Sequence, residues 1–134
     1  MSRLTQHHDF GPFLRDPWAI AVIDRTVQEL ADAHGWTWEA VEEEGLGLMF
    51  YVALAWEGVP RFLLSASDVY PGDGVGVEVA SSENHASARA DLLTELGADA
   101  DLFLAISEGG VWFARWDAPH TSGERPPTAR PRAG

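Results

Sequence analysis

His7, His8 and Asp9 form the densest group of metal-ligand side chains in the chain. Adjacent histidines point in different directions and need distant partners to close a metal site. The other histidines, His34, His85 and His120, fall on separate segments. The cluster therefore reads as an exposed polar stretch, and no metal is expected. Asp99-Ala100-Asp101 and Glu42-Glu43-Glu44 could supply carboxylates for metal binding or acid–base work. Acid–base work needs one carboxyl in an apolar pocket that raises its pKa, and both groups adjoin glycines or turns, where they read as solvated. Gly72-Asp73-Gly74-Val75-Gly76 has the glycine density of a phosphate-binding loop. Such loops lead from a strand into a helix whose N-terminal amides hold the phosphate. Here the glycines lead into a valine-rich stretch and no lysine follows, so a turn is expected. G-x-S-x-G, H-E-x-x-H, EF-hand and kinase-type patterns are all missing. No catalytic residue and no cofactor is assigned. Chemistry built from residues far apart in sequence stays open, because catalytic groups are recognised by geometry rather than order.

Composition narrows the partners. The net charge is −12, and Arg125, Arg130 and Arg132 lie near the C-terminal end. Residues 1–120 carry six arginines against twenty acidic residues, a net charge of −14. Such a surface repels phosphate backbones and anionic lipid, so neither direct nucleic-acid binding nor membrane binding is expected. It would steer a basic protein partner inward, and it also serves solubility. There is no cysteine and no lysine. That removes disulfides, thiolate sites, cysteine nucleophiles and Schiff-base lysines. The N-terminus lacks a basic-then-apolar leader pattern, and no apolar run approaches the roughly 20 residues of a membrane span. A cytoplasmic location is expected.

The elements that would position these groups follow from periodicity. The first 15 residues read as irregular, broken at Gly11-Pro12. Asp16-Pro17 reads as a helix start, with Ile20, Ile23, Val27, Leu30 and Ala31 at helical spacing and Gly35 as the stop. At the end of that helix His34, when protonated, would complement the helix dipole. Trp36, Trp38 and Ala40 alternate as a strand would, and Leu48–Trp56 reads as a central strand. Glu57-Gly58 turns that strand into a partner over Arg61–Ser67, and Val75, Val77 and Val79 mark another. A second helix is capped by Ser82 or Asn84, carries Ala88, Arg89, Leu92, Leu93 and Leu96, and ends at Gly97. His85 at its start reads as solvent-facing or capping detail. Leu102–Ser107 and Val111–Trp116 read as a final hairpin. The expected fold is α+β and two-layered, a mostly antiparallel sheet of five to six strands with two helices on one face. One domain spans 16–118, and 119–134 reads as a disordered Pro/Arg-rich tail.

The order helix–strands–helix–two strands, the acidity and Leu92-Leu93-Thr94-Glu95-Leu96 before a Gly-Gly hairpin resemble the secretion-chaperone-like fold over roughly residues 17–117. The resemblance implies a homodimer that holds a segment of a partner protein, although an extra strand and the lack of a closing helix set this chain apart. Six tryptophans give the sheet two apolar faces: Trp112, Ala114 and Trp116 share one, Val111 and Phe113 the other. Either both faces are buried or an aromatic patch awaits a partner. The expected function is an acidic, non-enzymatic protein-binding module, a chaperone-like holder or an immunity- or antitoxin-type inhibitor. Its candidate contact residues are Glu42, Glu43, Glu44, Trp112 and Trp116. The alternative is a small enzyme or small-ligand binder that uses the open sheet face as a pocket wall.

Because proline-rich sequence cannot continue a sheet ladder, residues 120–134 should be dispensable for folding. A chain ending at Pro119 should melt within a few degrees of the full-length protein in a calorimetric scan. A large loss of stability would show that the segment is docked.

Overall fold

The structure, a computed structural model, describes residues 3–9, 11, 16–45, 47–68, 74–108 and 110–114. In chain order the elements are β1 (Leu4–His7), β2 (Pro17–Ile23), α1 (Val27–His34), β3 (Glu39–Glu43), β4 (Gly47–Trp56) and β5 (Val59–Ser67). They continue with β6 (Val75–Ala80), α2 (His85–Leu96), a 3₁₀ turn (Ala100–Leu102), β7 (Phe103–Glu108) and β8 (Val111–Ala114). The strands form one 8-stranded sheet in the order β1-β4-β5-β6-β2-β7-β8, with β3 also paired to β4. All of these pairings are antiparallel. The α+β class is as expected, but the sheet is larger than the five to six strands anticipated. The added strands are the first two.

Residues 4–7 are not irregular. They pair with β4, Leu4 opposite Trp56 and His7 opposite Ala53, and Leu4 is buried. The stretch expected to open the first helix is β2, with Pro17 as its first residue, a position where a strand loses nothing by lacking an N–H. Physically, the misreading comes from a bulge. Ala19 pairs with Glu78 and Ala21 with Val77, which leaves Ile20 as the extra residue. The bulge turns Ile20 and Ile23 to the same side, so a strand shows the three-residue spacing of a helix. The real helix start is Thr26, whose side chain accepts a hydrogen bond from the Glu29 amide while Glu29 accepts from the Thr26 amide. This is a complete capping box. Trp36 and Trp38 precede β3 in extended but unpaired chain, and both pack on the main core.

The remaining expectations place well. Asn84 caps α2, Gly97 closes it in the left-handed conformation, and β4–β5 turn through Glu57 and Gly58, both with positive φ. The expected Pro71-Gly72-Asp73 turn and the 119–134 tail lie outside the described residues. Both helices bury their apolar residues on one side of the sheet. Leu30, Ala88 and Leu92 share a single cluster with Ile20, Ile23, Val52, Leu54, Phe62, Leu64, Val75, Val77 and Val79. Arg61 of β5 donates to Glu83 at 3.0 Å and to Asp91 of α2 at 2.7 Å. Arg89 of α2 donates to the Ile20 and Ser107 carbonyls at 3.4 and 2.8 Å and pairs with Glu108.

Gly74 separates two kinds of glycine in this fold. Its φ is +84°, and a Cβ there would lie 2.4 Å from the Ile23 carbonyl oxygen. Gly35 also has positive φ, +72°, but a Cβ there would meet nothing within 4 Å. Gly35→Ala should therefore cost only the left-handed backbone, about 1–2 kcal/mol. Gly74→Ala adds a backbone clash, for a total of about 3 kcal/mol or more. Denaturant titration of both variants checks this. Equal losses would mean that the chain around Gly74 yields freely.

Candidate functional site

The five residues singled out by sequence do not form one surface. Glu42 and Glu44 are exposed, on and just after the edge strand β3. Glu43 is half-buried and accepts a hydrogen bond from the Tyr51 hydroxyl. Trp112 lies on β8 at the opposite end of the sheet and is only 5% exposed, packed with Val22, Leu104 and Ala105. Five strands separate β3 from β8, roughly 30 Å along the sheet at about 4.8 Å per spacing. Trp116 lies outside the described residues. Among the described residues the exposed aromatics are Phe113, at 57%, and Trp18, at 42%. Sequence alternation separated Trp112 from Phe113 but could not say which of the two is covered.

Phe113 stands on the rim of an apolar groove of about 460 Å³. One wall is α2, through Ala86, Arg89, Ala90 and Leu93; the floor includes Phe103 and Ile106 of β7. The cause is architectural. β8 is the edge strand, α2 packs over β2 and β7, and no described element continues the helix layer over β8. Phe113 faces the helix side because it pairs with Ile106, which packs on the main core, whereas Trp112 pairs with Ser107 on the other side. At the groove's Ala100 end Asp99 and Asp101 are exposed. Asp99 caps the 3₁₀ turn by accepting from the Asp101 amide at 3.0 Å.

The face away from the helices carries the other unusual groups. Tyr51 sits beside buried Ala53 and Leu63. Burial, reinforced by the hydrogen bond to Glu43 and the charges of Glu43 and Glu78, pushes the Tyr51 phenol up to about 12. Glu78 lies two strands away, opposite Leu63, and burial raises its carboxyl above the ordinary value. No described arginine pairs with it. His7 shares this face through its pairing with Ala53. Among the described residues no group of three or more His, Cys, Asp or Glu could hold a metal ion. His34 stacks on Trp36 with ring centroids 4.6 Å apart, and burial lowers its pKa. His34 is the last residue of α1, as expected, and the shift works against its protonated form. His85 packs its ring against Trp18 at 5.8 Å. Gly74 leads into strand β6 rather than a helix.

No family model, curated protein or solved structure matches this chain. What the site does must come from its own chemistry.

Glu78 yields a pH prediction. A carboxyl whose folded pKa lies above its unfolded value is penalised only when ionised. The penalty is complete above the folded pKa and vanishes below the unfolded one. Glu78→Gln should thus raise the melting temperature by a few degrees at pH 7. The gap should close as pH falls through the raised Glu78 titration. A destabilised Gln variant at pH 7 would mean that the carboxylate is held by a favourable partner.

Proposed function

We propose that the chain is a non-catalytic, acidic protein-binding module that holds an apolar segment of a basic protein, in the manner of a chaperone-like holder or an immunity- or antitoxin-type inhibitor. One observation carries this reading: an apolar groove rimmed by a phenylalanine that is 57% exposed, on a body of strongly negative charge. Exposed aromatic surface in a concave apolar setting is the usual anchor of a protein contact. The surrounding carboxylates add to it by attracting cationic surfaces and repelling anionic ones. Three of the four described arginines, Arg3, Arg61 and Arg89, are held in ion pairs.

The geometry also redistributes the roles of the acidic residues. Electrostatic influence decays over about 8 Å at physiological ionic strength. Glu42 and Glu44, roughly 30 Å away on the opposite edge, act weakly at the groove, while Asp99 and Asp101 adjoin Ala100, which lines it, and are exposed. No described helix is long and apolar enough to cross a membrane. The alternative of a small-ligand site on the face away from the helices draws on Glu78 and Tyr51. Glu43 already occupies the Tyr51 hydroxyl there, which leaves few free polar groups to converge on a small ligand.

The test is kinetic. A partner recovered from the native host should be basic, and its association rate should fall several-fold between 0.15 and 0.5 M salt. Asp99→Asn with Asp101→Asn should lower the association rate more than Glu42→Gln with Glu44→Gln. An acidic partner, or an association rate indifferent to salt, would reduce the charge to a solubility coat and sink the reading.

A further inference from the structure

We infer that the groove seats a helix of the basic partner, laid alongside α2 over the edge strand β8, with its basic residues over Asp99 and Asp101. This rests on the protein-binding reading above and names the element recognised. Spacing comes first. α2 packs over β2 and β7, and packed helices lie 8–10 Å apart, about two strand spacings. A second helix at that distance has its axis over β8, directly above Phe113. The wall it meets is shaped for close approach: Ala86 and Ala90 line it one turn apart on α2 and are both exposed. Such a ridge of short side chains lets a neighbouring helix pack its own ridges near the backbone.

Charge sets the direction. At the Glu108 end the carboxylate is paired with Arg89, whereas at the Ala100 end Asp99 and Asp101 are exposed. A helix with cationic residues at the Ala100 end is therefore favoured in one orientation. A strand added to β8 would lie in the sheet plane, beyond the edge, and would miss the α2 wall. A second copy of this chain brings another net charge of −12 to the contact. The chain's own residues 115–134 contain one large apolar residue, Trp116, and four prolines, so they offer no apolar stripe of helical spacing.

Three synthetic peptides of about 18 residues, long enough for helix formation, test this against the full-length protein. The first has leucines at helical spacing with flanking arginines; the second has the same composition with two central prolines; the third replaces arginine with glutamate. Calorimetric titration should show binding by the first alone. Phe113→Asp and Ala90→Arg should each weaken it about tenfold or more with little change in melting temperature, since both positions are exposed. Val59→Asp, at an exposed apolar residue of the β4–β5 hairpin, should leave it unchanged. Failure of the arginine peptide to bind, or equal binding by the proline peptide, overturns the helix assignment. So does affinity that rises tenfold in a chain ending at Ala118, which would make the C-terminal segment the occupant. Loss of a dimer on Phe113→Asp, seen by sedimentation, would make the occupant a second copy. A basic native partner with a salt-steep association rate that ignores Phe113→Asp removes the helix assignment and leaves the acidic binding module standing. An acidic native partner removes the module itself.

Discussion

Arg89 is the interaction on which the arrangement of sheet and helix turns. Its side chain is 8% exposed, and a guanidinium taken out of water must be fully hydrogen-bonded or it costs several kcal/mol. Its partners are what the fold leaves open. The bulge at Ile20 displaces a residue from the β2–β6 ladder, and Arg89 donates to that residue's carbonyl, to the Ser107 carbonyl of β7 and to Glu108. One planar fork thus ties α2 to β2 and β7, a task for which a lysine ammonium has the wrong geometry. From the other side Arg61 joins β5 to Asp91 of α2 and to Glu83 just before it. Held on both flanks, α2 cannot slide toward β8 to cover the edge of the helix face. The groove is what remains.

Pairing an arginine with a carboxylate leaves the net charge unchanged, so the acidic balance of the sequence becomes the acidic field of the fold. At the β3 edge that charge has a second effect. Every residue from Glu39 to Glu42 is exposed on a strand with an open side, and carboxylates on such a strand discourage pairing with another chain. At the other edge β8, described over Val111–Ala114, stands beside the apolar groove.

Legibility in sequence followed the range of the interactions involved. The β4–β5 hairpin, β6, α2 with its Asn84 and Gly97 caps, and the β7–β8 hairpin are set by local signals, and all were readable. The β2 segment was not, because a bulge, satisfied by an arginine some seventy residues away, gave a strand the spacing of a helix. A local signal that contradicted the helix was present: Thr26 and Glu29 have the spacing of a capping box ten residues after the supposed start. The groove left no comparable trace. Its wall and rim come from residues 86–93 and 103–113, and its existence depends on β8 being last in the sheet order. Strand order is not encoded in any local pattern.

That dependence also assigns different physical work to the two features of the site. A phenylalanine presents roughly 200 Å² of surface, and 57% exposure leaves rather more than 100 Å² to be covered. At about 25 cal/mol per Å² this is near 3 kcal/mol, or about two decades in affinity. It acts at short range, only after contact. Charge on the body acts before contact and is largely screened across the width of the sheet. On the proposed reading, Phe113 and the walls around it would set how long a partner stays, and the carboxylates close to the groove how fast it arrives and which way round. Trp112, though the larger aromatic, contributes to neither directly: buried beneath the same hairpin, it fixes β8 from the opposite face and so holds Phe113 where it can be reached.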